Sequence, residues 1–216
     1  MAKRSTRSKP PPPARDPRDR ILDAALALAE REGWSKASLA AIADEAKLQL
    51  AQVYGEFRSR PAILAGLMAR TDRAVLAGAG RPDPEETPRE RLFETLMRRF
   101  DAMKPQRAAL QRIARGLTCD PLGAALTGLP LLRSMAWMLE ASGISTVGPA
   151  GRLRVRGLTA IYLCVLRTFL ADETPDLAKT MAALDRHLRQ AERCLGAIGR
   201  MGPRKPSSEA GATAAR

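Results

Sequence analysis

The chain of 216 residues has little of several things: one histidine, three cysteines, and only 4% aromatic residues. His187 stands alone in a charged helical stretch near the C-terminus. With no partner of its own kind it cannot anchor a metal cluster, and no nucleophile elbow or glycine-rich phosphate loop accompanies it. Carboxylates such as Asp23, Glu30 and Asp44 fall on exposed helical faces. These absences argue against an enzyme and imply no cofactor and no metal. Cys119, Cys164 and Cys194 are odd in number, far apart and without a Cys-x-x-Cys pair, which excludes a disulfide scaffold or a zinc site. In apolar helical settings they read as buried thiols of a reducing cytoplasm.

Long apolar runs are absent as well. No uninterrupted stretch reaches the roughly 18 residues of a spanning helix, and no apolar h-region follows the basic N-terminus, so a cytoplasmic location is expected. Runs alternating apolar and polar residues, the mark of strands, are also missing. What is present is 45% hydrophobic residues, mostly Ala and Leu, at helical spacing. An all-α fold with a sizeable core follows.

The charge is strongly one-sided, +13 with a pI near 10.7, which suggests a polyanionic partner. Its distribution is uneven. Residues 1–20 hold seven Lys/Arg against two Asp, and residues 199–216 hold four against one Glu. Residues 21–60 hold five against six and are net acidic by one.

Along the chain, 1–17 reads as a disordered basic arm. A first helix over 17–32 carries Ile21, Leu22, Ala25, Leu28 and Ala29 on one stripe and ends at Gly33, with Trp34 packing beneath the next helix. Ser38 caps a helix to Ala46, a turn covers 47–49, and a short helix runs over 50–56. Ser59 opens a longer helix with Pro61 in its first turn. These give a three-helix head over 18–60 and a connecting helix over 61–80. Residues 78–88 have linker composition. Further helices fall at about 88–103, 105–118, 121–141 (interrupted near Pro130), 149–171 and 175–198. They form a second domain over 81–198, followed by a tail at 199–216.

"SLAAIADEAKLQLAQVYGEF", residues 38–57, has helix-turn-helix spacing. Two helices joined by a three-residue turn nearly touch where they cross. Ala43 stands at that crossing, and Ile42, Ala46, Leu48 and Val53 fill the wedge. The surrounding string, about residues 18–70, resembles the N-terminal domain of the TetR family of transcriptional regulators. It has Glu-Gly ending helix one, Ser-Leu-x-x-Ile-Ala-x-x-Ala, Val-Tyr-x-x-Phe, and Ser59 opening helix four. The resemblance implies an all-α homodimer whose head grips double-stranded operator DNA. A C-terminal bundle would then dimerise and hold a hydrophobic small-molecule effector.

The departures concern the reading helix. Lys47 stands where the family usually has glycine, Gln49 replaces a capping hydroxyl, and Leu50 and Glu56 replace phosphate-holding Lys and Tyr. Gly55 weakens the short helix. Two readings therefore compete. In one, Gln49, Gln52 and Tyr54 face the groove, where Gln pairs with adenine; Lys36, Ser38, Lys47, Arg58, Arg60 and the arm hold phosphates. In the other, the head survives only as a packing element.

The later helices are rich in Met and Leu. Their interior is the default place for an effector, with Met97, Phe100, Met135, Met138 and Tyr162 as candidate lining and Arg133 as a candidate partner for an acidic head group. Segments 134–144 and 157–188 are also similar to the TetR-fold, lipid-binding accessory proteins of ubiquinone biosynthesis. That keeps an alternative open: a lipid- or isoprenoid-binding protein with a degenerate head. The helices at 149–171 and 175–198 are the implied dimer face, with Gly157, Ala160 and Cys164 allowing close approach. The stripe of Leu177, Met181, Leu184, Leu188 and Leu195 is assigned to dimer packing rather than to a membrane, and membrane contact is not expected.

Overall fold

The computed structural model describes residues 16–80 and 85–201, with side chains described through residue 193. The arm, apart from Asp16 and Pro17, and the tail beyond 201 lie outside the described residues, as do Leu195 and Cys194 as side chains. Among the described residues every regular element is helical. The α-helices are α1 (Pro17–Glu32), α2 (Leu39–Ala46), α3 (Leu50–Glu56), α4 (Arg60–Ala77), α5 (Pro88–Met103), α6 (Arg107–Thr118), α7 (Pro121–Ala141), α8 (Gly148–Ala171) and α9 (Ala178–Met201). Short 3-10 turns lie at Trp34–Lys36 and Lys104–Gln106.

Side-chain caps set most of the helix starts. Asp16, Ser38, Ser59, Thr87 and Asp120 each accept a backbone N–H from the first turn they precede, satisfying donors that the helix cannot pair internally. Thr87 and Glu90 form a reciprocal capping box. Proline occupies the first turn of α1, α4, α5, α7 and α8, where its missing N–H costs nothing.

Two apolar cores result. The first is built from α1, α2, α3 and the start of α4, around Ile21, Leu22, Ile42, Val53, Phe57 and Ile63. The expected separation of head and bundle is incomplete, because Ala109 and Ile113 of α6 are buried in that same core. Trp34, 2% exposed, shares the first core with the α2 residues and also packs on α6. A Cβ built on Gly116 would come within 2.8 Å of the Trp34 Cβ, so that contact requires glycine. The second core centres on Phe100, stacked on Tyr162 with ring centres 5.5 Å apart and tilted against Phe169 at 5.2 Å.

Four expectations need correction. α7 runs unbroken through Pro130, held by its packing against α4, α5, α6 and α8, which outweighs one lost helical hydrogen bond. α7 is also long and apolar enough to cross a membrane by length and composition, with part of its apolar length buried in the bundle. Cys119 and Cys164 are exposed rather than buried. Leu177, Leu184 and Leu188 pack into the chain's own second core, so most of the α9 stripe is used within the chain.

The α8–α9 connection is tied by one carboxylate. Asp172 is fully buried and accepts from Thr174 N (3.1 Å), Thr174 Oγ1 (2.6 Å), Thr180 N (2.8 Å) and Thr180 Oγ1 (2.7 Å). Burial pushes its pKa up, but these donors outweigh it and hold the carboxyl well below the usual range.

Candidate functional site

The short helix α3 buries one side chain along its length, Val53. Phe57, just past its end, is the second anchor. The ring enters a notch at Gly66 of α4, where an added Cβ would lie 2.6 Å from Phe57 Cε1 and 3.1 Å from Leu22 Cδ2. Everything else on α3 faces outward: Leu50 is 53% exposed and Tyr54 62%, and Gln52, Gly55 and Glu56 are exposed as well. α3 is thus pinned by two apolar side chains and otherwise exposed.

The turn before it is held from α1. Lys47 adopts φ 54°, ψ 47°, the left-handed conformation that glycine takes without strain. Arg20 donates to the carbonyl oxygens of Ala46 (2.6 Å) and Lys47 (3.1 Å), capping the end of α2 with a cation. Gln52 Oε1 accepts the backbone N–H of Gln49 at 3.0 Å, so the expected capping hydroxyl is replaced by a glutamine pair.

The expected DNA-facing residues are placed as follows. Lys36, Ser38, Lys47, Gln49, Gln52, Tyr54 and Arg58 are all exposed. Ser38 accepts from Ala41 N at 3.1 Å through its Oγ, which leaves its O–H to donate. Arg58 lies over the Tyr54 ring at 5.8 Å. Gln49 and Gln52 each accept the other's backbone N–H through the side-chain oxygen, which leaves both side-chain NH2 groups to donate outward. Arg60 lies 4.8 Å over the Trp34 ring and donates to the Trp34 carbonyl, contacts that brace the head. Glu56 is paired with Arg18 at 3.4 Å, which offsets its repulsion of phosphate. Sequence reasoning missed Arg18 and Arg20. Both sit at the polar edge of α1, where nothing in the pattern distinguishes them from solvated charges.

The ligand candidates fare differently. Phe100, Met135 and Met138 are fully buried core, and Met97 packs against that core from its edge. None of the four lines the apolar cavity that the fold does contain. That cavity, about 180 Å³, lies among α4, α5, α6, α7 and α8, and Tyr162 is the one candidate on its wall. Arg133 is exposed. The wall includes Leu64, Leu67 and Ile113, which also belong to the core of the head. Its polar members are Thr71, Arg99, Gln106, Thr127 and Tyr162. Arg99, 1% exposed, pairs with Asp72 of α4 and donates from Nε to the Tyr162 hydroxyl at 3.3 Å. Burial lowers the pKa of Arg99, but Tyr162 and Asp72 more than compensate and keep it above its ordinary value. Ser134 Oγ of α7 donates to the same Asp72 oxygen at 2.7 Å. One signal for Arg99 was in the sequence: it lies on the same helical stripe as Leu92, Leu96, Phe100 and Met103.

α8 also presents Leu153 (62% exposed) to the outside, with Met181 of α9 at 42%, while Leu163 (46%) borders the cavity. Gly157, Ala160 and Cys164 are exposed on α8, and an added Cβ on Gly157 meets nothing within 4 Å.

Residues 21–67 match the model of the bacterial regulatory proteins, tetR family. A TetR transcriptional regulator from Nitrosomonas europaea is similar in structure, with a TM-score of 0.62 at 24% identity, over 82% of this chain and 98% of that one. One from Rhodococcus sp. RHA1 gives 0.61 at 17% identity, covering 81% and 94%. A tetR-family regulator from Streptomyces coelicolor gives 0.54 at 16%, covering 87% and 88%. No curated protein sequence matches the chain. Over residues 21–67 the chain is thus similar to the bacterial regulatory proteins of the tetR family, and its described helices together have the TetR fold.

Proposed function

We propose that the chain is a cytoplasmic TetR-type regulator, a repressor that binds operator DNA as a homodimer and is released by an apolar effector. The observation that carries this reading is the exposure of α3. Its outward face offers Gln49, Leu50 and Tyr54 to a groove, flanked by Lys36, Ser38, Lys47 and Arg58 for phosphates. Leu50 replaces a cation with an apolar contact suited to a thymine methyl. The net acidity of 21–60 leaves much of the phosphate attraction to the basic arm. The exposed small and apolar residues of α8 suit a twofold interface. The cavity shares wall residues with the core of the head, so an occupant bears on the packing of the reading unit.

The test separates base reading from phosphate grip. Gln49→Ala and Tyr54→Ala are expected to relax sequence preference, each by about 1–3 kcal/mol at the bases touched. Lys36→Ala is expected to weaken all sequences alike and to reduce the salt slope by about one. Gln49→Ala and Tyr54→Ala variants that bind with unchanged preference would contradict the assignment of α3 as the reader.

A further inference from the structure

The basic character of the chain is not confined to its two ends. Residues 104–171 hold nine Lys/Arg against two acidic residues, while 21–103 and 172–198 are each net acidic by one. The positive stretch makes up α6, α7 and α8, and α7 packs against both of the others. Its two acids are engaged locally. Asp120 caps α7 by accepting from Gly123 N at 2.8 Å. Glu140 accepts from Thr146 N at 2.8 Å and Thr146 Oγ1 at 2.6 Å. The arginines are not so engaged. Arg112 and Arg115 of α6, Arg133 of α7, and Arg152, Arg156 and Arg167 of α8 are all exposed and form no ion pair among the described residues.

Between these cations α7 carries an apolar stripe. Leu122, Leu126, Leu129 and Trp137 recur at helical spacing, and each is between 56% and 70% exposed. Together they cover about 22 Å of helix. The opposite face is already used: Thr127, Ser134, Met135 and Met138 are buried, and Ser134 Oγ is bonded to Asp72 at 2.7 Å. α7 is apolar enough to cross a bilayer, but crossing would strip that face from the core. A helix buried on one side and bare along a leucine stripe ending in Trp has the composition of an element that lies in a membrane surface. DNA offers little to such a stripe. A twofold self-contact through this face would set its arginines against one another. An anionic bilayer satisfies the leucines and the arginines together.

We propose that α7 docks the chain along the surface of an anionic lipid bilayer, with the Leu122–Trp137 stripe sunk among the head groups and the arginines of α6, α7 and α8 paired with lipid phosphates. The proposal goes beyond the regulator reading and stands without it. Each leucine gains by leaving water, and each arginine near a negatively charged leaflet adds an attraction that salt screens. The basic ends of the chain would adsorb to any polyanion. The stripe is what selects a bilayer, because only a bilayer takes in apolar side chains beside phosphates.

Trp137 is the probe for the test. The chain has two tryptophans and Trp34 is already buried, so a change of emission on binding reports Trp137. The full-length chain is titrated with vesicles of phosphatidylcholine alone and of phosphatidylcholine with an equal part of phosphatidylglycerol. On the anionic vesicles the emission is expected to shift to the blue and to be quenched by brominated acyl chains. Leu126→Gln with Leu129→Gln is expected to weaken the partition by about tenfold or more; both positions face solvent, and circular dichroism checks that the helices are kept. Arg112→Gln and Arg115→Gln are expected to weaken it about fivefold each. Trp137→Phe, which leaves Trp34 alone, is expected to abolish the shift. Capture by vesicles without a blue shift, or undiminished in the leucine pair, overturns the proposal and assigns the binding to the basic ends of the chain. A blue shift that grows with protein concentration in the absence of vesicles assigns the stripe to a second copy and overturns it too. So does a chain that ignores anionic vesicles, which leaves the stripe to an acidic protein.

Discussion

Arg20 of α1 donates to the main-chain carbonyl of Lys47, 3.1 Å away across the turn of the helix-turn-helix, and so the reading helix is aimed from outside its own motif. Removing the cation leaves the carbonyls of Ala46 and Lys47 to water. Arg20→Ala is expected to lower stability by about 1–3 kcal/mol, measured by denaturant unfolding. The same turn predicts the opposite sign for Lys47→Gly, a gain of roughly 1 kcal/mol from relief of the left-handed conformation. A loss on Lys47→Gly would mean that the lysine side chain contributes more than the strain costs.

The two glycines near α3 are expected to respond oppositely. Gly66 receives the buried Phe57 ring, so Gly66→Ala overpacks the notch and is expected to cost about 1–3 kcal/mol. An added Cβ on Gly55 meets nothing within 4 Å, so Gly55→Ala is expected to stabilise by about 0.5–1 kcal/mol. Thermal unfolding of both variants beside the parent checks the pair.

Asp172 predicts an acid sensitivity. Its folded pKa is depressed, so its contribution is fully present above the unfolded value of about 3.9. That contribution is lost as pH falls through the lower folded value. Asp172→Asn keeps the shape but loses charge-assisted acceptance from four donors, and is expected to cost about 3 kcal/mol near neutral pH. The difference between parent and variant is expected to shrink below about pH 4; a constant difference would contradict the assignment.

Much of the fold was legible because it rests on local signals. Helix starts followed Ser, Thr and Asp caps with proline behind them, and the apolar stripe of α1 fell where its spacing put it. What failed needed tertiary information. Pro130 reads as a breaker, yet α7 is continuous through it, packed against four neighbours. Met135 and Met138 read as cavity lining because Met adapts to irregular space, yet they fill the second core while the cavity lies toward α4 and α6. The engagement of Arg60 with the Trp34 ring and carbonyl is a tertiary contact that the pattern does not report. Arg99 and Asp72 lie 27 residues apart on different helices, a pairing that no periodicity reports.

The basic arm carries its own expectation. If residues 1–17 supply much of the phosphate contact, deleting them flattens the slope of log affinity against log salt by several units. Filter binding at a series of salt concentrations measures it. An unchanged slope would place the contacts on the head.

The central claim, that α3 reads sequence, is tested most directly by capturing sheared genomic DNA with the purified full-length chain at about 150 mM salt and sequencing what is retained. The account predicts enrichment of a short pseudo-palindrome, the signature of a twofold reader. Retention without sequence preference would contradict it and leave the head as a packing element beside basic tails.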